Sequence, residues 1–359
     1  MNIYLMTNIK GSGGMGTVSH NLLKYLNKDK RCNIKILEDK NDIKIIDRKG
    51  IFLRYGWRQD YYQTFADSDI SHNINPKNKN VFLLSFDPNM ISKDKINQVN
   101  RNFLQIWCDS QFTINQAIKA GIDNDKIRLL KLGVSNQDIV KKNNDSRSTK
   151  KIKFVNISGH DMFFIKGLDL LIESFLICFR NNKNVELHIK TKDKNGYVKK
   201  IKDFIYKKRE ELNIFNYPKI IVDAEMIKNK EIFNFLKKFD CYIQCSRIET
   251  FGLPLLEASS IGLPVISPNF GGQLDFLNKK SSLLYPTHEV IMNKNSWREN
   301  RKCFCREGKI KDIAMIMKEF LKCQKVYSKQ AIDNSYKIRK DWNWGNSIKL
   351  IYEYIEEIC

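Results

Sequence analysis

Long apolar runs are missing from this sequence. None reaches the roughly 18 residues that a bilayer-spanning helix requires, so no membrane crossing is expected. Histidine is scarce as well: only five are present, and none stands beside the two close cysteine pairs, Cys241/Cys245 and Cys303/Cys305, so no structural zinc is expected. The nine cysteines are odd in number and otherwise scattered, which argues against a disulfide framework and for a reducing compartment. No leader is expected either. The chain opens on the apolar stretch Asn2-Ile3-Tyr4-Leu5-Met6 with no basic region before it, and a cytoplasmic protein, at most peripherally attached to a membrane, is expected. Acidic residues are few against basic ones, 40 to 62, for a formal net charge of +22. No block gathers that charge: Lys199-Lys200-Ile201-Lys202 and Lys207-Lys208-Arg209 read as solvated helix faces. Compositional drift with a modest anion-attracting cleft accounts for it. A polyanion- or membrane-surface role is the alternative, and no nucleic-acid partner is expected.

What is present suffices for a large core. Hydrophobic residues make up 42% and aromatics 11%, which excludes global disorder. A length of 359 exceeds the roughly 250–300 residues at which single cores stop growing, so two domains are expected. Strand-like runs at 3–6, 33–37, 81–86, 103–107 and 127–132 alternate with helical patterns at 17–26 and 112–120. A second alternating series follows the polar segment 136–150: strands at 153–157, 185–190, 219–222, 241–244 and 264–267, with helices at 167–180, 198–212, 230–238 and 254–261. Such alternation predicts an α/β architecture of two doubly wound parallel sheets. Their ligand cleft is expected at the carboxyl ends of the strands, between the domains. The expected organisation is residues 1–135, a linker at 136–150, residues 151–338, and a closing helix within 339–359.

Two segments carry chemistry. Gly11-Ser12-Gly13-Gly14-Met15-Gly16 follows the first strand and opens the first helix, and Glu38-Asp39 ends the next strand where a ribose-binding carboxylate would sit. This matches a dinucleotide fingerprint and suggests an NAD(P)-dependent oxidoreductase. Three residues, Asn8, Ile9 and Lys10, nevertheless separate the strand from the first glycine, whereas the fingerprint turns at once. A tight turn, or a loop built for backbone approach to a substrate, fits the same residues.

The second segment is more specific: Ser246-Arg247-Ile248-Glu249-Thr250-Phe251-Gly252-Leu253-Pro254-Leu255-Leu256-Glu257-Ala258. A buried strand ends in a loop bearing Glu249, Gly252 permits close backbone approach, and Pro254 suits a helix start. Amides there, with the positive end of the helix dipole, can face a phosphate, flanked by Glu249 on the loop and Glu257 on the helix.

Glu249 and Glu257, seven residues apart in the context E-T-F-G-L-P-L-L-E-A, resemble the E-x7-E signature of retaining family 4 glycosyltransferases of the GT-B fold. Further segments are similar in order along nearly the whole chain. Gly13-Gly14 resembles the first glycine loop, and Asp109-Ser110-Gln111-Phe112 through Gly133-Val134 the end of the N-terminal domain. Lys166-Gly167-Leu168-Asp169-Leu170-Leu171 resembles a K-G-x-x-x-L segment, Gly271-Gly272 a loop facing the donor sugar, and Trp342-Asn343-Trp344 with 348–358 a helix returning to the N-terminal domain. The resemblance implies two Rossmann-like domains facing across a cleft, acceptor-binding first and nucleotide-sugar-binding second. It implies no cofactor and no bound metal, with a UDP- or GDP-sugar as donor and a glycan, lipid-linked or protein-linked acceptor. Glu257 would then bind the ribose and Glu249 the transferred sugar. Backbone from Phe251 to Leu253, with Thr250, would serve the phosphates, Lys166 the departing diphosphate, and backbone at Ala224–Met226 the base. The family's Arg before its Lys is absent from Ser158-Gly159-His160-Asp161-Met162-Phe163-Phe164-Ile165-Lys166, with His160 and Arg247 as substitutes. Its N-terminal His is replaced by Phe86-Asp87, which leaves Asp87, His72, Gly271 and Gly272 as acceptor-side candidates. Arg54-Tyr55-Gly56-Trp57-Arg58 reads either as a sugar- and phosphate-binding cluster or as core packing beside surface charge. Residues 287–309 have no counterpart in the family pattern. A catalytically dead, polyanion- or membrane-binding relative remains a third reading.

Overall fold

The computed structural model describes residues 1–7, 13–28, 31–37, 50–55, 79–85, 93–135, 151–159, 162–228, 231–292 and 303–359. They form two compact units, one made of Met1–Val134 with Asp341–Cys359, the other of Ser135–Lys340. The expected linker at 136–150 lies outside the described residues.

The first unit runs β1 (Asn2–Thr7), α1 (Gly14–Leu26), β2 (Asn33–Leu37), β3 (Ile51–Tyr55), β4 (Lys79–Leu84), α2 (Lys93–Asn102), β5 (Gln105–Cys108), α3 (Gln111–Ala120) and β6 (Ile127–Leu129). The strands form one parallel sheet in the order β2-β1-β3-β4-β5-β6. β3 was not anticipated. All five of its residues are buried, Arg54 and Tyr55 included, because it is a central strand covered on both faces. Core packing is therefore the correct reading of Arg54-Tyr55, and burial lowers the Arg54 pKa to about 9. Ser110 caps α3 through its Oγ, which accepts from Thr113 N–H at 3.1 Å, while Asp109 takes the Thr113 hydroxyl at 2.7 Å.

The second unit begins with β7 (Ile152–Ile157), α4 (Leu168–Cys178), β8 (Val185–Lys190), α5 (Tyr197–Glu211), β9 (Lys219–Asp223), α6 (Ile232–Leu236) and β10 (Cys241–Ile243). It continues with α7 (Leu253–Ser260), β11 (Val265–Pro268), β12 (Leu283–Tyr285), β13 (His288–Met292), β14 (Cys303–Glu307), α8 (Ile310–Lys322) and α9 (Gln324–Asp341). Its parallel sheet is ordered β12-β11-β10-β7-β8-β9, while β13 and β14 pair antiparallel as a separate hairpin. Phe154, Leu187, Ile243 and Ile266 from the sheet meet Leu171, Phe175 and Phe320 from the helices in one core. The last helix, α10 (Trp344–Glu356), belongs to the first unit and packs on α1, where Trp344 stacks on Tyr25 at 6.4 Å. No helix among the described residues is long and apolar enough to cross a membrane.

Candidate functional site

In the second sheet the chain moves outward from β7 through β8 to β9, then restarts at β10 and moves the other way through β11 to β12. The neighbours β7 and β10 therefore send their following connections in opposite directions, and that divergence opens a crevice at their carboxyl ends. The loop after β7 carries Lys166, and the loop after β10 carries Glu249.

Backbone bonds join the two loops before any side chain does. Arg247 N–H donates to Ile165 O at 2.7 Å. Gly167 caps α4 with φ +60, and a Cβ built there would lie 1.9 Å from the Cys245 carbonyl oxygen. Only glycine permits both that conformation and that approach. The approach seats Lys166 against its partner: Lys166 Nζ is 2.7 Å from Glu249 Oε2. Sequence reasoning paired these residues by role, and the fold pairs them in space.

Three donors converge on that one oxygen. Besides Lys166, Gln244 Nε2 donates to Glu249 Oε2 at 2.7 Å, and Ser246 Oγ lies 3.4 Å away. Gln244 is only 2% exposed, with Tyr242 Oη 3.5 Å from its Oε1 and Tyr285 Oη donating to its backbone oxygen at 3.0 Å. Oε2 is thus held by three donors. Sequence reasoning missed Gln244, taking it as the last residue of a buried strand. A polar side chain ending an apolar run, five residues before a functional carboxylate, was the available signal.

Glu257 sits on α7, within a helix that is buried almost throughout. It is 9% exposed, and its carboxylate has no hydrogen-bond or ion-pair partner among the described residues. Burial pushes its pKa up to about 8, so the ligand-free site holds it largely protonated at neutral pH. A buried carboxyl without a protein partner is costly unless a ligand uses it. Gly252 caps α7 with φ +88, and Pro254 takes the second helical position rather than the expected first. A Cβ at Gly252 would come within 3.3 Å of Gln273 Cβ and 3.5 Å of Glu249 Cγ.

Gly271 and Gly272, read in the sequence both as a donor-sugar loop and as acceptor-side candidates, adjoin the Glu249 loop: Gly272 N–H donates to Glu249 O at 2.9 Å. Gln273 holds this turn from beneath. It is fully buried and donates from Nε2 to Ser267 Oγ and Pro268 O, both at 3.3 Å. Phe251 and Leu253 are buried, Phe251 against Phe276 with ring centres 5.5 Å apart, so their backbone rather than their side chains is available to a ligand. Thr250 is half-buried in the same loop. Met226, just beyond β9, is 69% exposed, and β9 ends in Asp223, paired with Lys190 at 2.7 Å.

Arg247 departs from expectation. Its Nη1 and Nη2 bind Asp169 at 2.8 and 2.7 Å, Nε binds Glu307 at 2.6 Å, and Nη1 also reaches Phe164 O at 2.6 Å. Burial works against its charge, but the two carboxylates outweigh burial and hold its pKa above the ordinary arginine value. With its donors committed to the protein, Arg247 is no substitute for the missing family arginine. It ties loops together instead. His160, His72 and Asp87 lie outside the described residues, as do Gly11, Ser12 and Glu38-Asp39. Gly13 caps α1, and Gly13 and Gly14 are exposed at its start. That start follows β1, whose neighbours β2 and β3 mark the switch point of the first sheet. Among the described residues no group of three or more His, Cys, Asp or Glu is placed to hold a metal ion. Cys241 and Cys245 are buried as expected, and burial pushes the Cys245 thiol up to about 12.

The sequence model described as glycosyl transferases group 1 matches residues 139–337, more than half of the chain. No curated protein matches the sequence significantly. Among solved structures, the Anabaena protein HepE, in complex with UDP and glucose, is similar with a TM-score of 0.71 at 13% identity, covering 99% of this chain and 100% of that one. A glycosyltransferase from Rickettsia africae gives a TM-score of 0.66 at 13% identity over 99% and 98% of the two chains. Sucrose-phosphate synthase from Thermosynechococcus elongatus gives 0.67 at 11% identity over 99% and 96%. At these identities the likeness concerns the fold, which is GT-B.

Proposed function

The chain belongs to the glycosyl transferases group 1 family, and from that premise we propose that it is a retaining hexosyltransferase of the family 4 type, metal-independent, with a UDP- or GDP-sugar as donor. The acceptor would be the hydroxyl of a glycan, a lipid-linked sugar or a protein-linked sugar. The observation that carries this reading is the Lys166–Glu249 contact across the β7/β10 crevice, with the buried, unpartnered Glu257 on the adjoining helix.

Glycosyl transfer breaks the bond between the sugar's anomeric carbon and the diphosphate, leaving electrons on the diphosphate and positive charge on the sugar ring. Lys166 supplies a compact cation for the first charge, and Glu249 a carboxylate for the second. The second carboxylate oxygen of Glu249 would take a sugar hydroxyl while Oε2 keeps its donors. Glu257 would accept from the ribose hydroxyls, and the α7 start, with the Gly271–Gly272 turn, would offer amides to the phosphates. UDP is the first donor nucleotide to test, because the Anabaena protein binds it. The family match decides between the two Rossmann readings of the chain in favour of the transferase.

Calorimetric titration against UDP, GDP, ADP and NAD(H), followed by a donor-hydrolysis assay, tests the proposal. Nucleoside diphosphate binding lost in Glu257→Ala, and hydrolysis lost in Glu249→Gln and Lys166→Ala, are expected. Binding that survives Glu257→Ala removes the donor-site assignment. Binding without hydrolysis of any sugar nucleotide would mark the chain as a catalytically dead relative.

A further inference from the structure

Residues 287–309, which the family pattern leaves unexplained, contain the β13–β14 hairpin, and the described part of that hairpin reaches three loops of the donor site, those of Lys166, Glu249 and Gly271–Gly272. Glu307, the last residue of β14, holds Arg247 Nε at 2.6 Å, and Arg306 N–H donates to Arg247 O at 3.2 Å. Cys305 packs with Ile165, joined by Met162, Ile248 and Val290, so apolar contacts link the hairpin to both the Lys166 loop and the residue before Glu249. The Arg306 guanidinium lies 5.6 Å from the ring centre of Phe270, next to the Gly271–Gly272 turn that binds Glu249 O. Arg247 completes the connection by clamping Asp169 in the first turn of α4 and Phe164 O in the Lys166 loop.

We infer that the β13–β14 hairpin sets the separation of the two catalytic loops, with Glu307 acting through Arg247 as a positioning residue for Lys166. The reason is mechanical and electrostatic. Lys166 is preceded by the stretch Met162 to Ile165, which lies outside any strand or α-helix. Arg247 fixes the end of that stretch by one side-chain and one backbone bond, and a buried arginine needs both of its carboxylates to stay put. Removing Glu307 leaves Arg247 half-paired, and the loop ahead of Lys166 loses its brace. Glu257 and the α7 start make none of these contacts, so the ribose end of the site is independent of the hairpin.

This inference rests on the donor-site reading, and binding alone can test it. UMP reports the ribose and base end, while the preference for UDP over UMP reports the grip of Lys166 on the second phosphate. Calorimetry on the wild type, Glu307→Ala, Glu307→Gln, Lys166→Ala and the Lys166→Ala/Glu307→Ala double variant, with GDP and GMP as a parallel pair, gives the readout. One charge-assisted contact makes the wild-type diphosphate preference about tenfold or more. Glu307→Ala is expected to erase most of that preference while leaving monophosphate affinity within about twofold. Glu307→Gln, which keeps an acceptor for Arg247, should retain an intermediate preference and provides the test if the alanine variant does not fold. On the Lys166→Ala background, Glu307→Ala should change nothing further. An unmoved preference in a folded Glu307 variant overturns the inference, as does a parallel loss of monophosphate and diphosphate affinity, which would mean the hairpin merely holds the unit together. A wild type that binds none of the four nucleotides overturns the donor-site reading, and this inference with it.

Discussion

Gln244 and Glu257 illustrate opposite uses of burial at a functional carboxylate. Gln244 donates its amide to Glu249 Oε2, and on the proposed function this bond would keep Glu249 oriented when Lys166 turns to a phosphate. Gln244→Leu removes that hydrogen bond at similar size, and small misplacements of a reacting group are costly. A fall in the donor-hydrolysis kcat of about 10- to 100-fold, with donor KM nearly unchanged, is expected from steady-state kinetics. Glu257 receives no such help. Its folded pKa of about 8 stands above the ordinary glutamate value of 4.5, so the native state holds a proton that the unfolded chain releases from about pH 4.5 upward. Stability from this group is therefore fully present below about 4.5 and is lost as pH rises toward 8. Glu257→Gln should melt like the wild type at pH 4.5 and progressively higher than it as pH approaches 8, an effect on the order of a few kcal/mol. Nucleotide binding that uses the ionised form must expel the proton, which calorimetry in buffers of different ionisation enthalpy would detect near neutral pH. Glu249, Glu257 and Lys166 were legible in the sequence because their spacing and glycine context are specific. Asp169 and Glu307 were not, because their bonds to Arg247 span 78 and 60 positions and leave no local pattern, and Gln244, five positions from Glu249, was hidden as the polar end of an apolar run.

The alternation of strands and helices could be read at element scale wherever an apolar run stood between turn residues, as at Val185–Lys190. Reading failed where a charged residue sits in a buried strand or punctuation is weak. The end of β3, Arg54 and Tyr55, reads in the sequence as part of a mixed aromatic and cationic cluster with residues 56–58, which lie outside the described residues, and the hairpin escapes notice because its two strands are separated by a long polar stretch. The α4 start shows how much one element end can carry. Gly167→Ala puts a Cβ 1.9 Å from the Cys245 oxygen at a φ of +60, so the two loops must separate. Destabilisation on the order of 3–5 kcal/mol is expected by denaturant unfolding. Diphosphate binding should weaken along with it, since Lys166 is the preceding residue. Alanine at Gly196, where nothing lies within 4 Å of the added carbon, costs only the strain of its positive φ and serves as the control.

At the scale of the whole molecule, the first unit is assembled from both ends of the chain. Trp344, Ile351 and Ile355 of α10 are almost wholly buried in it, and Val134 N–H donates to Trp342 O at 3.0 Å. Ile351→Ala should therefore cost about 2–5 kcal/mol of first-unit stability, read as faster amide exchange in β1 and α1. Nucleotide monophosphate affinity, which the proposed donor site assigns to the second unit, should be unmoved. A unit of this construction also has a history during synthesis. Ribosomes deliver about 5–20 residues per second, and the returning segment begins at Asp341, long after Val134 has been made. The first sheet must then wait roughly ten to forty seconds for its last helix, while the uninterrupted second unit can close on itself meanwhile. The half of the protein that is translated first is thus the half that finishes folding last, and its apolar α10-binding face is what nascent-chain chaperones would meet in the interval.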